Sequence, residues 1–207
     1  MKKALIAVLL LTALLLSACG PAAPEADPAK PHATVSFSYE EGLKYAPSYA
    51  IWVVDEAGNS ATLFATAKVA TGLKNRPATL PVWSGVRGGA DITSGATPSD
   101  KAELTLNIPD DFAGKKLALF IEANASYDYN DYYAEGLDEG AEGYNDVNGQ
   151  PSAVWTAVLD TAQASGSASP DLIGAGEVTG ADHELHEADR LTVPVLKGIE
   201  VTWDMGA

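Results

Sequence analysis

Residues 49–59 read YAIWVVDEAGN: Tyr49, Ala50, Ile51, Trp52, Val53 and Val54, then Asp55, Glu56, Ala57, Gly58 and Asn59. The first six are apolar or aromatic with no polar interruption. The run is too short for a buried helix and rich in strand-forming residues, so it reads as a central strand covered on both faces. The next five are turn formers. A second apolar run with Leu63 and Phe64 follows over residues 62–69, which makes the pair a hairpin. Working outward, Val35, Phe37 and Tyr39 alternate with Thr34, Ser36 and Ser38, the period of a half-buried strand. Leu104, Leu106 and Ile108 alternate with Glu103, Thr105 and Asn107 in the same way. Residues 117–122, 154–160, 191–195 and 199–203 read as further strands, with Gly, Pro, Asn and Asp between them. Helical periodicity is weak, apart from a short turn near residues 80–83. About eight such strands predict an all-β fold, an antiparallel two-sheet β-sandwich of the immunoglobulin or fibronectin kind. Trp52 and Trp155 are expected in its interior.

Three segments break the strand pattern. Residues 72–100 are rich in glycine and proline, 127–150 are acidic and tyrosine-rich, and 163–186 begin with a Ser/Gly/Ala stretch. Connections this long inside one domain usually carry function or lack order.

The chain opens with Lys2 and Lys3, an apolar stretch over residues 4–16, and Leu16-Ser17-Ala18-Cys19. A basic start, an apolar middle and small residues before a cut form an export signal. The apolar part is too short for a permanent membrane span. Leu-Ser-Ala-Cys resembles the lipobox of bacterial lipoproteins. The resemblance implies cleavage before Cys19, diacylation of its sulfur and acylation of the new amine, enough chains for stable anchoring. The plainer alternative is an ordinary signal peptide with an incidental cysteine. The organisation is then a signal peptide (1–18), a lipidated Cys with a Pro/Ala-rich linker (19–31) and a β-sandwich domain (32–207). Pro21, Pro24, Pro28 and Pro31 make the linker an extended spacer; it reaches ~35–40 Å. The implied location is the bacterial cell envelope, outside the cytoplasm, periplasmic or on the surface. Gly20 stands where an inner-membrane retention signal has Asp, which favours an outer membrane where there is one.

The formal charge is −15, and loss of Lys2 and Lys3 takes it to −17. Phosphate backbones need a basic face, so nucleic acid is excluded as a partner. Peripheral attraction to anionic headgroups is excluded on the same ground. Cys19 is the single cysteine. Once it is acylated, disulfides, thiol catalysis and cysteine-bound metals are unavailable to the mature domain.

Asp91-Ile92-Thr93-Ser94-Gly95-Ala96-Thr97 is the sharpest short motif. It resembles the acceptor sequence of bacterial flavin transferases, which move FMN from FAD onto the final threonine. The resemblance implies Thr97 as a covalent FMN attachment point. Asp91, Ser94, Gly95 and Ala96 complete the pattern that the transferase reads. Gly88, Gly89 and Gly95 would supply the loose backbone such a reaction needs. The same residue types also suit a tight structural loop held by turn and capping bonds, and both readings stand on the sequence.

A wider resemblance runs over residues 49–58 (YAIWVVDEAG), 76–83 (RPATLPVW), 91–98 (DITSGATP), 122–133 (EANASYDYNDYY) and 148–152 (NGQPS). These are similar to an uncharacterised family of predicted periplasmic proteins, often encoded near flavin-transferase and membrane redox genes. The resemblance implies a flavin transferase and a redox protein as partners. Its match fades over residues 174–186.

The acidic residues Asp128, Asp131, Glu135, Asp138, Glu139, Glu142 and Asp146, with Asn130 and Asn148, offer oxygens to Ca²⁺. Tyr132 breaks the EF-hand spacing, and a solvated acidic loop is the plainer reading. Tyr127, Tyr129, Tyr132, Tyr133 and Tyr144 suit a sandwich edge or a contact surface. His183-Glu184-Leu185-His186 lacks the zinc-protease spacing; the two histidines with Asp182 and Glu187 offer metal ligands, and a polar turn is the plainer reading. No catalytic triad has a recognisable frame, and no metal site is assigned. The sequence thus points to a lipid-anchored, non-catalytic extracytoplasmic protein, a covalent FMN carrier or accessory in membrane-associated redox chemistry. The alternative is a structural or binding surface lipoprotein that contacts protein or glycan through its long acidic, tyrosine-rich loops.

Overall fold

A computed structural model describes residues 27, 29–72, 76–86, 94–95, 100–145, 148–192 and 194–206. The signal peptide, Cys19 and linker residues 20–26 lie outside the described residues. The strands are β1 (His32–Tyr39), β2 (Ser48–Asp55), β3 (Ser60–Thr66), β4 (Ser94–Gly95), β5 (Lys101–Asn107), β6 (Lys116–Asn124), β7 (Ala153–Asp160), β8 (Ser165–Ala168), β9 (Asp171–Ala175) and β10 (Leu196–Asp204). Two short helices, α1 (Ala67–Gly72) and α2 (Pro81–Val86), lie between β3 and β4. One sheet has the order β5-β1-β10-β8 and the other β4-β3-β2-β6-β7-β9. All pairings are antiparallel except that of two-residue β4 with β3. This is the two-sheet sandwich that the strand spacing predicts.

Alternation along each strand fills the space between the sheets. Val35, Phe37, Ile51, Val53, Leu104, Leu106, Leu119, Ile121, Trp155 and Val201 are among the residues that meet there. The doubly apolar β2 has a second partner. Its outward residues Ala50 and Trp52 join Val69, Leu80 and Trp83 in a smaller cluster under the connection that carries both helices. Trp52 stacks on Phe120 at 5.2 Å. Trp155 is 5% exposed and Trp52 2%, as expected for core residues. Trp155→Ala is expected to cost about 3–5 kcal/mol. Denaturant unfolding measures this as a lower midpoint at unchanged slope; a shift within error would place Trp155 outside the core.

Three strand boundaries differ from expectation. The run 62–69 stops as strand at Thr66, because β3 there runs off the start of β2, where Ala65 pairs with Ala50. The chain then turns into α1 and Val69 enters the outer cluster. Leu191, Thr192, Pro194 and Val195 are not strand, because β1, the partner of β10, ends where Tyr39 meets Leu196. The Ser/Gly/Ala stretch, expected as loop, forms β8 and is followed by β9; with β4 gained and 191–195 lost, the described residues hold ten strands instead of about eight. Small side chains are required there: a Cβ on Gly166 would fall 2.1 Å from the Trp203 ring.

Register also assigns the connections to the two ends of the sandwich. β1 enters at His32, opposite Asn107 and Asp204, and leaves at Tyr39. The short connections 56–59, 108–115 and 161–164 lie at the entry end. The eight-residue connection 40–47 and the three longest, 67–100, 125–152 and 176–195, start and finish at the other end.

Candidate functional site

The acceptor-like stretch meets the fold at two points. Ser94 and Gly95 form β4 on the margin of the larger sheet, level with Ala65 and Thr66. The chain is next described at Asp100, whose carbonyl accepts a hydrogen bond from the Tyr39 N–H at 2.9 Å. Residues 95 and 100 therefore join the edge of one sheet to the edge of the other at the long-loop end. Asp91, Ala96 and Thr97 lie outside the described residues.

Just inside this end is a buried carboxylate that the sequence reading did not single out as a site. Odd-numbered residues of β6 face the core, so Glu122 faces outward, under α2. It is fully buried. Its Oε2 accepts the Trp83 N–H at 2.7 Å, and its Oε1 accepts the Val82 N–H at 3.2 Å and the Ser152 hydroxyl at 2.6 Å. Pro81, first in α2, has no N–H; the next two N–H groups are those a helix start leaves without partners. Glu122 satisfies both from a neighbouring strand. Gly176 closes the cradle, since a Cβ there would fall 2.4 Å from both Pro81 Cγ and Ser152 Oγ. Burial pushes the Glu122 carboxyl up to about 7, against the opposing bonds from Ser152, Trp83 and Val82. With three donors and no solvent contact, Glu122 is a clamp on α2 rather than a base facing a substrate. The one signal in the sequence is a lone acid within the apolar run of residues 117–123.

The C-terminal connection locks the same helix from outside. His183 Nδ1 lies 3.0 Å from the Pro81 carbonyl and 3.1 Å from Ser84 Oγ. Ser84 Oγ itself donates to the Pro81 carbonyl at 2.8 Å. A carbonyl only accepts, so Nδ1 carries the proton and cannot take one from Ser84. The pair is therefore not a nucleophile and its base. His186 contacts Asp182 at 3.0 Å, and that carboxylate raises the imidazole pKa. Both histidines thus serve a polar turn.

The tyrosine-rich connection is organised by its amides. Asn130 Oδ1 accepts the N–H groups of Tyr132 and Tyr133 at 2.9 and 2.7 Å. Its Nδ2 donates to Gln150 Oε1, the Arg190 carbonyl and Thr192 Oγ1, each at 3.0 Å. Asp128 Oδ1 accepts the Gln150 N–H at 2.9 Å, and burial pushes this carboxyl up to about 7. Gly149, at φ +86°, lies where a Cβ would be 2.6 Å from that oxygen. Arg76 donates to Asn148 Oδ1 at 2.6 Å and Ser126 Oγ at 3.0 Å, tying the helical connection to this one. Asp128 Oδ1 and Asn130 Oδ1 are thus engaged within the loop and Asn148 Oδ1 by Arg76, while Asp131, Glu135, Asp138, Glu139 and Glu142 are exposed; Asp146 lies outside the described residues. Among the described residues no group of three or more His, Cys, Asp or Glu is placed to hold a metal ion. Tyr132, Tyr133 and Tyr144 line an open groove of about 520 Å³ with Glu139 and Glu177. Arg190 covers the Tyr132 ring at 4.6 Å.

These features define the class: an acidic β-sandwich with short turns at one end and long, hydrogen-bonded connections at the other. Comparison with protein-family models, curated proteins and solved structures finds no match to this chain.

Proposed function

We propose that this protein is a lipid-anchored, non-catalytic carrier that holds FMN covalently on Thr97 outside the cytoplasm, as an accessory to membrane-associated redox chemistry. The observation that carries the reading is the stretch Asp91–Thr97 itself, with Ser94 and Gly95 on the outermost strand of their sheet. A segment at a margin needs fewer broken contacts to enter another enzyme's site than one between two strands. In the transfer, Thr97 Oγ bonds to the FMN phosphorus of FAD, the bond to AMP breaks, and the hydroxyl proton is lost. The transferase supplies the catalysis and this chain supplies the acceptor.

The test is co-expression with a bacterial flavin transferase. The purified domain is expected to be yellow, with flavin that survives denaturation and a mass increase of one FMN-phosphoryl unit. The anchor is tested separately: Cys19→Ser removes the thiol that accepts diacylglycerol, so fatty-acid labelling should vanish. Equal labelling of the variant would exclude the lipobox reading.

A further inference from the structure

We infer that the domain is tethered by its short-turn end and presents its long-loop end away from the bilayer, to a partner arriving from the aqueous side. This rests on the reading of Cys19 as the anchor. The linker reaches the fold at residues 29–32, and His32 pairs with Asn107 and Asp204 at the short-turn end. The C-terminus returns to the same place: a Cβ on Gly206 would fall 2.8 Å from the Ala29 carbonyl. β1 then carries the chain the length of the sandwich in eight residues, ~26 Å at strand rise. At its far end lie Tyr39, Gly95 and Asp100, the flanks of the acceptor stretch, together with the tyrosine-rich connection.

Charge acts in the same direction as the tether. Connections 40–47, 67–100, 125–152 and 176–195 hold sixteen Asp and Glu against six Lys and Arg, whereas 56–59, 108–115 and 161–164 at the other end hold three against one. An anionic surface repels that end more than the short-turn end. A tether at one point alone would let the domain lie on its side; a dipole-like charge distribution opposes this near anionic lipid. A group carried at the long-loop end is then accessible to a protein domain in the aqueous phase, and remote from a redox centre buried in the same bilayer.

The experiment uses the full acylated chain in vesicles of equal parts phosphatidylglycerol and phosphatidylcholine, with an acceptor dye on a minor headgroup. Acylated Cys19 has no free thiol, so a donor dye can be attached at Asp111→Cys on the short-turn end or Glu135→Cys on the long-loop end. Both positions are exposed. Energy transfer to a plane of acceptors falls with the fourth power of distance. A stalk of ~35–40 Å and a sandwich of ~26 Å therefore predict transfer about eightfold stronger from Asp111→Cys. Equal transfer, or stronger transfer from Glu135→Cys, with the protein still bound to vesicles, overturns the orientation and leaves the anchor standing. Failure of the acylation-competent chain to bind vesicles at all, matching a Cys19→Ser control, overturns the anchor and the orientation with it.

Discussion

Thr97→Val is expected to lose covalent flavin completely while the domain folds normally. A phosphoester requires the Thr97 oxygen, and valine keeps the β-branched shape while deleting only that atom. With an active transferase the wild-type domain should retain flavin absorbance after denaturation, and the variant should be colourless with the mass of the bare chain. Unchanged circular dichroism and melting would show that loss of colour is not loss of fold. Asp91→Ala separates the two readings of the loop. If the transferase reads Asp91, labelling falls at constant stability; if Asp91 braces the loop, stability falls by roughly 1 kcal/mol, the worth of a capping bond. A colourless wild-type domain from cells with a working transferase would remove the carrier reading and leave the stretch as structure.

Glu122→Ala is expected to be among the most destabilising single changes in the domain, at about 5 kcal/mol. It strands the N–H groups of Val82 and Trp83 and the Ser152 hydroxyl in a dry site, each loss costing ~1–3 kcal/mol, and leaves a void as well. Gly176 cannot move in to fill it, having no side chain. The charge of Glu122 makes a distinct pH signature. Its folded-state value of about 7 lies above the ordinary 4.5, so between those pH values the folded protein binds a proton that the unfolded chain does not. Stability is therefore highest below about pH 4.5 for this group and declines as pH rises through 7, by on the order of 3 kcal/mol in all. Asp128 acts in the same direction. Asp55 opposes at the acid end: the bonds from Asn59 and then Lys115 hold its carboxyl well below the usual range, so its contribution is lost as pH falls below the ordinary carboxylate value. Chemical denaturation from pH 4.5 to 8 should show Glu122→Gln flattening the decline. A variant curve parallel to wild type would mean that Glu122 stays ionised throughout.

Much of the fold was legible because strand periodicity is local. Val35, Phe37 and Tyr39 announce their face through spacing of two, whatever they pack against. The boundaries at Thr66 and Leu196 were not legible, since each is set by where a neighbouring strand ends. β8 escaped notice because its small residues carry no strand signal of their own; Trp203 requires them. At the candidate site, the acceptor-like stretch and the acidic tyrosines could be read from residue type and order. The clamp could not, because Glu122, Ser152 and Gly176 are far apart in sequence and their types alone imply nothing.

The sequence by itself determined the strand pattern, the acidity, the absence of any cysteine after Cys19 and the spelling of the stretch ending in Thr97, since each is a property of neighbouring residues or of composition. The tertiary structure alone decided that a carboxylate 39 residues after Trp83 in the chain would cap its helix, that every long connection would gather at the end opposite the linker, and that His183 would hold a carbonyl rather than activate a serine. Those outcomes depend on which strands pair and in what register, and register is fixed by burying whole faces at once, not by any local run of residues.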